Sequence, residues 1–116
     1  MRAIALAVAL LALAACSAVG GGPPAPTPLP TPSAGERGAA LFVNKGCITC
    51  HHHAAVGYEG TIIGVGPVLT AYSNDEAFLR DWLRNPAAMK PGATMPTLGL
   101  AEGEIEALIA FLNGGR

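Results

Sequence analysis

The stretch Cys47-Ile48-Thr49-Cys50-His51-His52-His53 places two thiols and three imidazoles within seven residues, and its reading decides the fold. Three chemistries compete for it: a redox dithiol, a zinc site and covalent attachment of haem. The C-x-x-C-H spacing favours the third. Two thiols three positions apart on one turn can each add to a vinyl group of one haem, which leaves the imidazole of His51 beneath the iron as proximal ligand. A redox dithiol is built on a βαβ unit, and no strand–helix–strand alternation surrounds this motif. A structural zinc site takes four ligands from separated positions; no second Cys or His cluster exists, and three adjacent histidines cannot converge on one tetrahedron. A plain disulfide between these cysteines closes too small a loop to staple a domain. Cys47 and Cys50 are therefore the expected covalent attachment points, and His51 the expected iron ligand.

The chain has 116 residues, 51% of them hydrophobic, and much of that excess sits in the first fifteen. Met1-Arg2 supplies one positive charge, and Ala3 to Ala15 is an apolar run too short to span a bilayer core of about 30 Å as a helix. Residues 1–15 thus read as an export signal. Leu13-Ala14-Ala15-Cys16 resembles the bacterial lipobox, in which the Cys takes a diacylglyceryl group and becomes the mature N-terminus. An ordinary cleavage after Ala14 is the alternative, but it leaves an odd third thiol free in an oxidising compartment. Cys16 is the expected lipidation site, and the expected location is the extracytoplasmic side of a bacterial membrane.

Gly20 to Ser33, GGGPPAPTPLPTPS, has no apolar periodicity, and its prolines remove the donors that a helix or sheet needs. It reads as a linker in largely polyproline II form, roughly 40–50 Å long at about 3.1 Å per residue. The expected organisation is a signal at 1–15, a lipidated Cys and Pro-rich linker at 16–33, and one small domain at 34–116.

Helical periodicity marks three segments of that domain. Gly35 to Lys45 carries Ala39, Phe42 and Val43 on one face, with Gly46 as terminator. A capping box from Ser73 to Glu76 precedes the stripe Phe78, Leu79, Trp82 and Leu83, which Asn85-Pro86 stops. Ile105, Leu108, Ile109 and Leu112 follow the i, i+3, i+4, i+7 pattern up to Asn113-Gly114. No convincing strand pair is present; Thr61-Ile62-Ile63 reads as a loop. The expected class is all-α, with three to four helices wrapped around one haem, whose apolar bulk relieves the shortage of core in so small a domain.

With these elements in place the sequence resembles the class I c-type cytochromes over residues 35–113. In that family a small residue on the first helix crosses an aromatic on the last, and Gly38 and Phe111 stand there. Gly66-Pro67-Val68-Leu69 matches the family's G-P-x-L segment, which implies that the Pro67 carbonyl accepts the second N–H of the proximal imidazole. Lys90 to Pro96, KPGATMP, matches the loop that delivers a distal methionine. Trp82 to Pro86 and Met95-Pro96 are most similar to the cytochrome c domains attached to subunit II of haem–copper oxidases. Ala101 departs from the pattern, since Ser or Thr often caps the last helix there.

Met89 and Met95 are the methionines left once the leader is removed. Met95 is restrained between Pro91-Gly92 and Pro96, so its thioether can be presented to iron at little entropic cost; Met89 reads as a packing residue. Trp82 is core aromatic and a candidate donor to a haem propionate, as are Tyr58 and Tyr72. His52 and His53 read as solvated or loop-packing, and Glu102, Glu104 and Glu106 as complements to the last helix's dipole. From Ala34 onward six Lys/Arg face eight Asp/Glu, a balance that argues against nucleic acid and against a strongly basic docking face. A His/Met haem has no open coordination position, so the expected role is that of an electron carrier rather than an enzyme, tethered to the membrane and serving respiratory redox partners. A five-coordinate haem enzyme or gas sensor is the alternative if Met95 does not bind.

Overall fold

Helix α1, Ala34–Asn44, begins on a reciprocal cap. Ser33 Oγ accepts the Glu36 N–H at 3.2 Å while the Ser33 N–H donates to Glu36 Oε2 at 2.7 Å, satisfying two donors that the first turn would leave unpaired. Ser33, the last residue of the expected linker, is thus the first to serve the domain, and Arg37 Nη1 reaches back to the Pro32 carbonyl at 2.7 Å. The computed structural model describes residues 21–57 and 65–114. Residues 21–30 are exposed and without regular structure, and Thr31–Arg116 form a compact unit of their own. The expected signal at 1–15, Cys16, Tyr58 and Thr61-Ile62-Ile63 lie outside the described residues.

Helix α1 buries Gly38 and Phe42. Val43, expected on the same face, is 43% exposed: one residue past Phe42 is about 100° around a helix of 3.6 residues per turn, which turns it to solvent. The helix stops as expected at Gly46, whose φ of 79° lies in the left-handed region and whose N–H closes on the Val43 carbonyl at 3.0 Å. A 3-10 turn at Cys47–Thr49 follows directly.

Helix α2 covers Glu76–Arg84. Its cap is Asp75, not the expected Ser73: Asp75 Oδ1 accepts the N–H groups of Ala77 at 3.0 Å and Phe78 at 3.1 Å. A carboxylate one turn from both donors also meets the positive end of the helix, which a hydroxyl two residues earlier does not. Asn85 ends α2 and caps the short α3, Pro86–Met89, with its Oδ1 on the Ala88 N–H at 3.2 Å.

Helix α4, Glu102–Gly114, is the centre of the domain. Ala101 offers no side-chain acceptor, and Glu104 Oε2 instead takes the Ala101 N–H at 3.0 Å. Ile105, Leu108, Ile109, Phe111 and Leu112 are buried against Phe42 of α1 and Leu79 and Leu83 of α2. Helices α1 and α4 cross at Gly38, where an added Cβ would fall 2.6 Å from Phe111 Cβ. The three glutamates expected to serve the α4 dipole each take an ion pair as well: Glu104 with Lys45 at 2.9 Å, Glu106 with Arg80 at 2.7 Å and Glu102 with Arg84 at 2.8 Å. Among the described residues there are four α-helices and no strand, only an isolated bridge between His53 and Gly57, so the fold is all-α.

Candidate cofactor site

The chain leaves α1 through left-handed Gly46 and winds immediately into the Cys47–Thr49 turn. The Cys50 N–H and the His51 N–H both close on the Cys47 carbonyl, at 3.1 and 2.9 Å, and this winding sets Cys47, Cys50 and His51 on the wall of one cavity. Both thiols are free and half-buried. Burial pushes the Cys47 thiol up, opposed by a backbone hydrogen bond and reinforced by nearby Cys50. A thiol held protonated in this way is a poor thiolate for redox exchange. Among the described residues no group of three or more His, Cys, Asp or Glu side chains is placed to hold a metal ion.

His51 Nδ1 lies 2.9 Å from the Pro67 carbonyl oxygen. A carbonyl only accepts, so Nδ1 carries a proton, and in the neutral ring this fixes the tautomer that leaves the Nε2 lone pair for a metal. The segment that presents this carbonyl is tied to the motif twice more: the Leu69 N–H donates to the His52 carbonyl at 2.8 Å, and the Ala54 N–H to Thr70 Oγ1 at 3.0 Å. Gly66 lets the two segments approach, since a Cβ there would sit 2.6 Å from His51 Cε1 and 2.7 Å from its Nδ1. The parts played by Gly66 and Thr70 are absent from the sequence reading. The glycine directly before the Pro was the signal for the first; a threonine directly after the G-P-x-L segment gave none.

Met95 and Trp82 line the same cavity, and the indole N–H of Trp82 donates to Met95 Sδ at 3.1 Å. Phe78 stacks on the indole with centroids 6.0 Å apart and planes 11° from parallel. The Met95 loop turns at Gly92, φ 80°, with the Ala93 N–H on the Lys90 carbonyl at 3.0 Å. Met89 is 41% exposed and is not among the residues lining the cavity. Tyr72 does line it, and its hydroxyl accepts from Asn74 Nδ2 at 3.0 Å. Most of the remaining wall is apolar, with Phe42, Leu69, Leu79, Leu83, Leu108 and Leu112 beside Lys90 and Thr94, around a volume of about 320 Å³ that falls in the range of cofactor pockets.

A family model for cytochrome c matches residues 35–115. The chain belongs to the cytochrome c family. It is also 34% identical over 88 residues to a cytochrome c oxidase subunit 2 from Alkalihalophilus pseudofirmus, an alignment covering 66% of this chain and 24% of that protein. The chain therefore spans about a quarter of the length of this relative. No solved structure matches. Family membership makes this an electron-transfer domain with one covalently bound haem c. The donor set fits that group: two free thiols and an imidazole whose Nδ1 is engaged by the Pro67 carbonyl share a largely apolar cavity with a thioether.

Within this cytochrome c domain His52 and His53 pack rather than being solvated, at 8% and 2% exposure. The His53 ring lies 4.2 Å from that of Phe111 and 6.0 Å from that of Phe42, extending the α1–α4 crossing. Its Nδ1 accepts the Ala55 N–H at 3.3 Å, and burial first, then His52, lowers its pKa and keeps it neutral.

Proposed function

We propose that Cys47 and Cys50 form the two thioether links to haem, that His51 Nε2 is the proximal ligand and Met95 Sδ the distal one, and that the domain carries single electrons to a haem–copper oxidase or another terminal reductase. The observation that carries this reading is the His51 Nδ1 to Pro67 carbonyl bond at 2.9 Å, which leaves Nε2 available in the cavity that also holds both thiols and the Met95 thioether. Bound haem would supply the one-electron couple; His51 and Met95 would be its two protein donors to iron and would leave no position open to substrate, and a thioether donor would favour the ferrous state. Pro67 orients the imidazole, and the apolar wall keeps water from the iron, which lowers the reorganisation that accompanies each transfer. The relative that is an oxidase subunit supports an oxidase as acceptor.

The lipobox-like Leu13-Ala14-Ala15-Cys16 supports export with a diacylglyceryl group on Cys16, and the Pro-rich segment then acts as a spacer above the membrane. No helix among the described residues is long and apolar enough to cross a membrane.

The visible spectrum tests the ligand set. Reduced protein should be low-spin and unchanged by carbon monoxide. Met95→Leu should keep its haem through denaturation, lose the sulfur-to-iron charge-transfer band of the ferric form, show a lower potential and bind carbon monoxide. A band that survives in Met95→Leu and disappears in Met89→Leu would move the ligand to Met89, and a wild type that binds carbon monoxide would make this a five-coordinate haem protein.

A further inference from the structure

The last turn of α4 and the approach to α2 are tied together by one amide side chain. Asn113 Oδ1 accepts the Asn74 N–H at 3.1 Å while Asn113 Nδ2 donates to the Asn74 carbonyl at 3.1 Å, so both of its polar atoms are matched to both polar groups of one backbone residue. The Asn74 side chain carries the tie further: its Nδ2 donates to the hydroxyl of Tyr72 on the cavity wall at 3.0 Å, and its Oδ1 accepts the N–H of Asp75, the cap of α2, at 2.8 Å. We propose that Asn113 is a deamidation site, and that its conversion to aspartate or isoaspartate irreversibly releases this clasp.

Of the four asparagines, Asn113 alone is followed by glycine; Asn85 precedes Pro86, which has no N–H, and Asn44 and Asn74 precede Lys45 and Asp75. Glycine puts no side chain beside the attacking nitrogen and leaves its backbone the most freedom to turn. In the first step the Gly114 nitrogen loses its proton to hydroxide and attacks Asn113 Cγ. A C–N bond forms, the Cγ–Nδ2 bond breaks, and ammonia leaves with a proton taken from water. Water then opens the cyclic imide at either carbonyl, giving aspartate or isoaspartate, so that one water is consumed, one ammonia is released and nothing is oxidised. The attack needs the amide turned back on its own backbone, whereas the clasp holds it on Asn74. Conversion therefore waits for local opening at the end of α4, where helices fray. Afterwards the clasp cannot close as before. The donor Nδ2 has become an oxygen facing the Asn74 carbonyl, acceptor against acceptor, and a full negative charge joins the negative end of α4.

The test is incubation of the holoprotein at mildly alkaline pH, followed by mass analysis of the peptide that contains Asn113. The expected product is a mixture of aspartate and isoaspartate at this position, formed ahead of any change at Asn44, Asn74 or Asn85 and faster as pH rises. Gly114→Ala should slow it several-fold with the clasp intact, since a Cβ at Gly114 meets no described atom within 4 Å. If that variant fails to take up haem, the product mixture and its pH dependence in wild type decide instead. Asn113→Asp should melt below wild type and displace the Tyr72 ring resonances of the ferrous protein. An Asn113 that persists, aspartate without isoaspartate, or a rate indifferent to Gly114→Ala overturns the site. Melts and Tyr72 resonances of Asn113→Asp that match wild type overturn the release.

Discussion

Gly66 has no side chain because the His51 ring occupies the space one would need. A Cβ would meet Cε1 and Nδ1 of that ring and the Cys50 carbonyl oxygen, at 2.6 to 2.8 Å, and none of these is the far end of a flexible chain. Gly66→Ala should therefore push the Pro67 carbonyl away from Nδ1, with less mature holoprotein and a ligand-field spectrum that varies with the imidazole's orientation. Val68→Ala, two residues on at a position 64% exposed, is the control and should change neither. Equal haem yield and identical spectra for the two variants would remove Gly66 from the site. The residue scale is also where the sequence was most legible. A covalent site is written in spacing, so Cys47, Cys50 and His51 could be read as a unit, and the local chain winding brings all three to one cavity wall. Gly66 and Thr70 could not, because their contacts join segments more than ten residues apart and carry no periodic signal. The Trp82 bond to Met95 was hidden for the same reason: a donor and an acceptor thirteen residues apart look like two unrelated core side chains until the helix and the loop are placed.

At the scale of elements the helices were legible from apolar spacing, while their ends and mutual ties were not. Ser73 and Asp75 both lie just ahead of α2, and only the backbone path shows that the carboxylate of Asp75 reaches two N–H groups. Asp75→Ala should cost about 1 kcal/mol in chemical denaturation, whereas Ser73→Ala should be close to neutral. The crossing of α1 and α4 tolerates nothing larger than glycine at position 38, where the conflict is with α4 backbone as well as Phe111. Gly38→Ala should separate the helices and destabilise the holoprotein by about 2–3 kcal/mol, read from denaturant midpoints. The ion pairs joining α4 to its neighbours lend themselves to a pH test. The Arg80 guanidinium, through hydrogen bonds of 2.7 and 3.1 Å, holds the Glu106 carboxyl below its ordinary value of 4.5. Lys45 first, and then the Ala101 N–H, do the same to Glu104. A carboxyl whose folded value is depressed stabilises the fold above its ordinary value and loses that contribution as pH falls through the folded one. Thermal melts of Glu106→Gln should accordingly lie slightly below wild type at neutral pH and converge with it in acid, and added salt should narrow the neutral gap because the pair is exposed. Superimposable melts at every pH would show that the Arg80 pair contributes nothing to stability.

At the scale of the whole molecule, a domain with a small cavity for one cofactor follows a Pro-rich segment that reads as a spacer from the proposed lipid anchor. Residues 21–30 are exposed and irregular, and the first fixed points are Ser33 and the Pro32 carbonyl, so the domain is ordered from its own cap onward. Chemistry and address are therefore separable, and Cys16→Ser separates them. The substitution removes the sulfur nucleophile that would accept diacylglycerol. It leaves 17 residues, Ser17 to Ser33, between the change and the first helix, so haem content and spectrum should match wild type. Two or more acyl chains at one terminus give stable membrane residence, and their loss should move the protein to the soluble exported fraction or leave an uncleaved precursor held weakly by its leader. Turnover of a membrane oxidase should then fall because the local concentration of donor falls, without any loss of the domain's own competence, and excess soluble domain should restore it. Fractionation with mass analysis of the mature N-terminus decides the matter. A wild type that is fully soluble, begins at Ala15 and carries Cys16 unmodified would remove the tether and leave a diffusing carrier with the same haem chemistry.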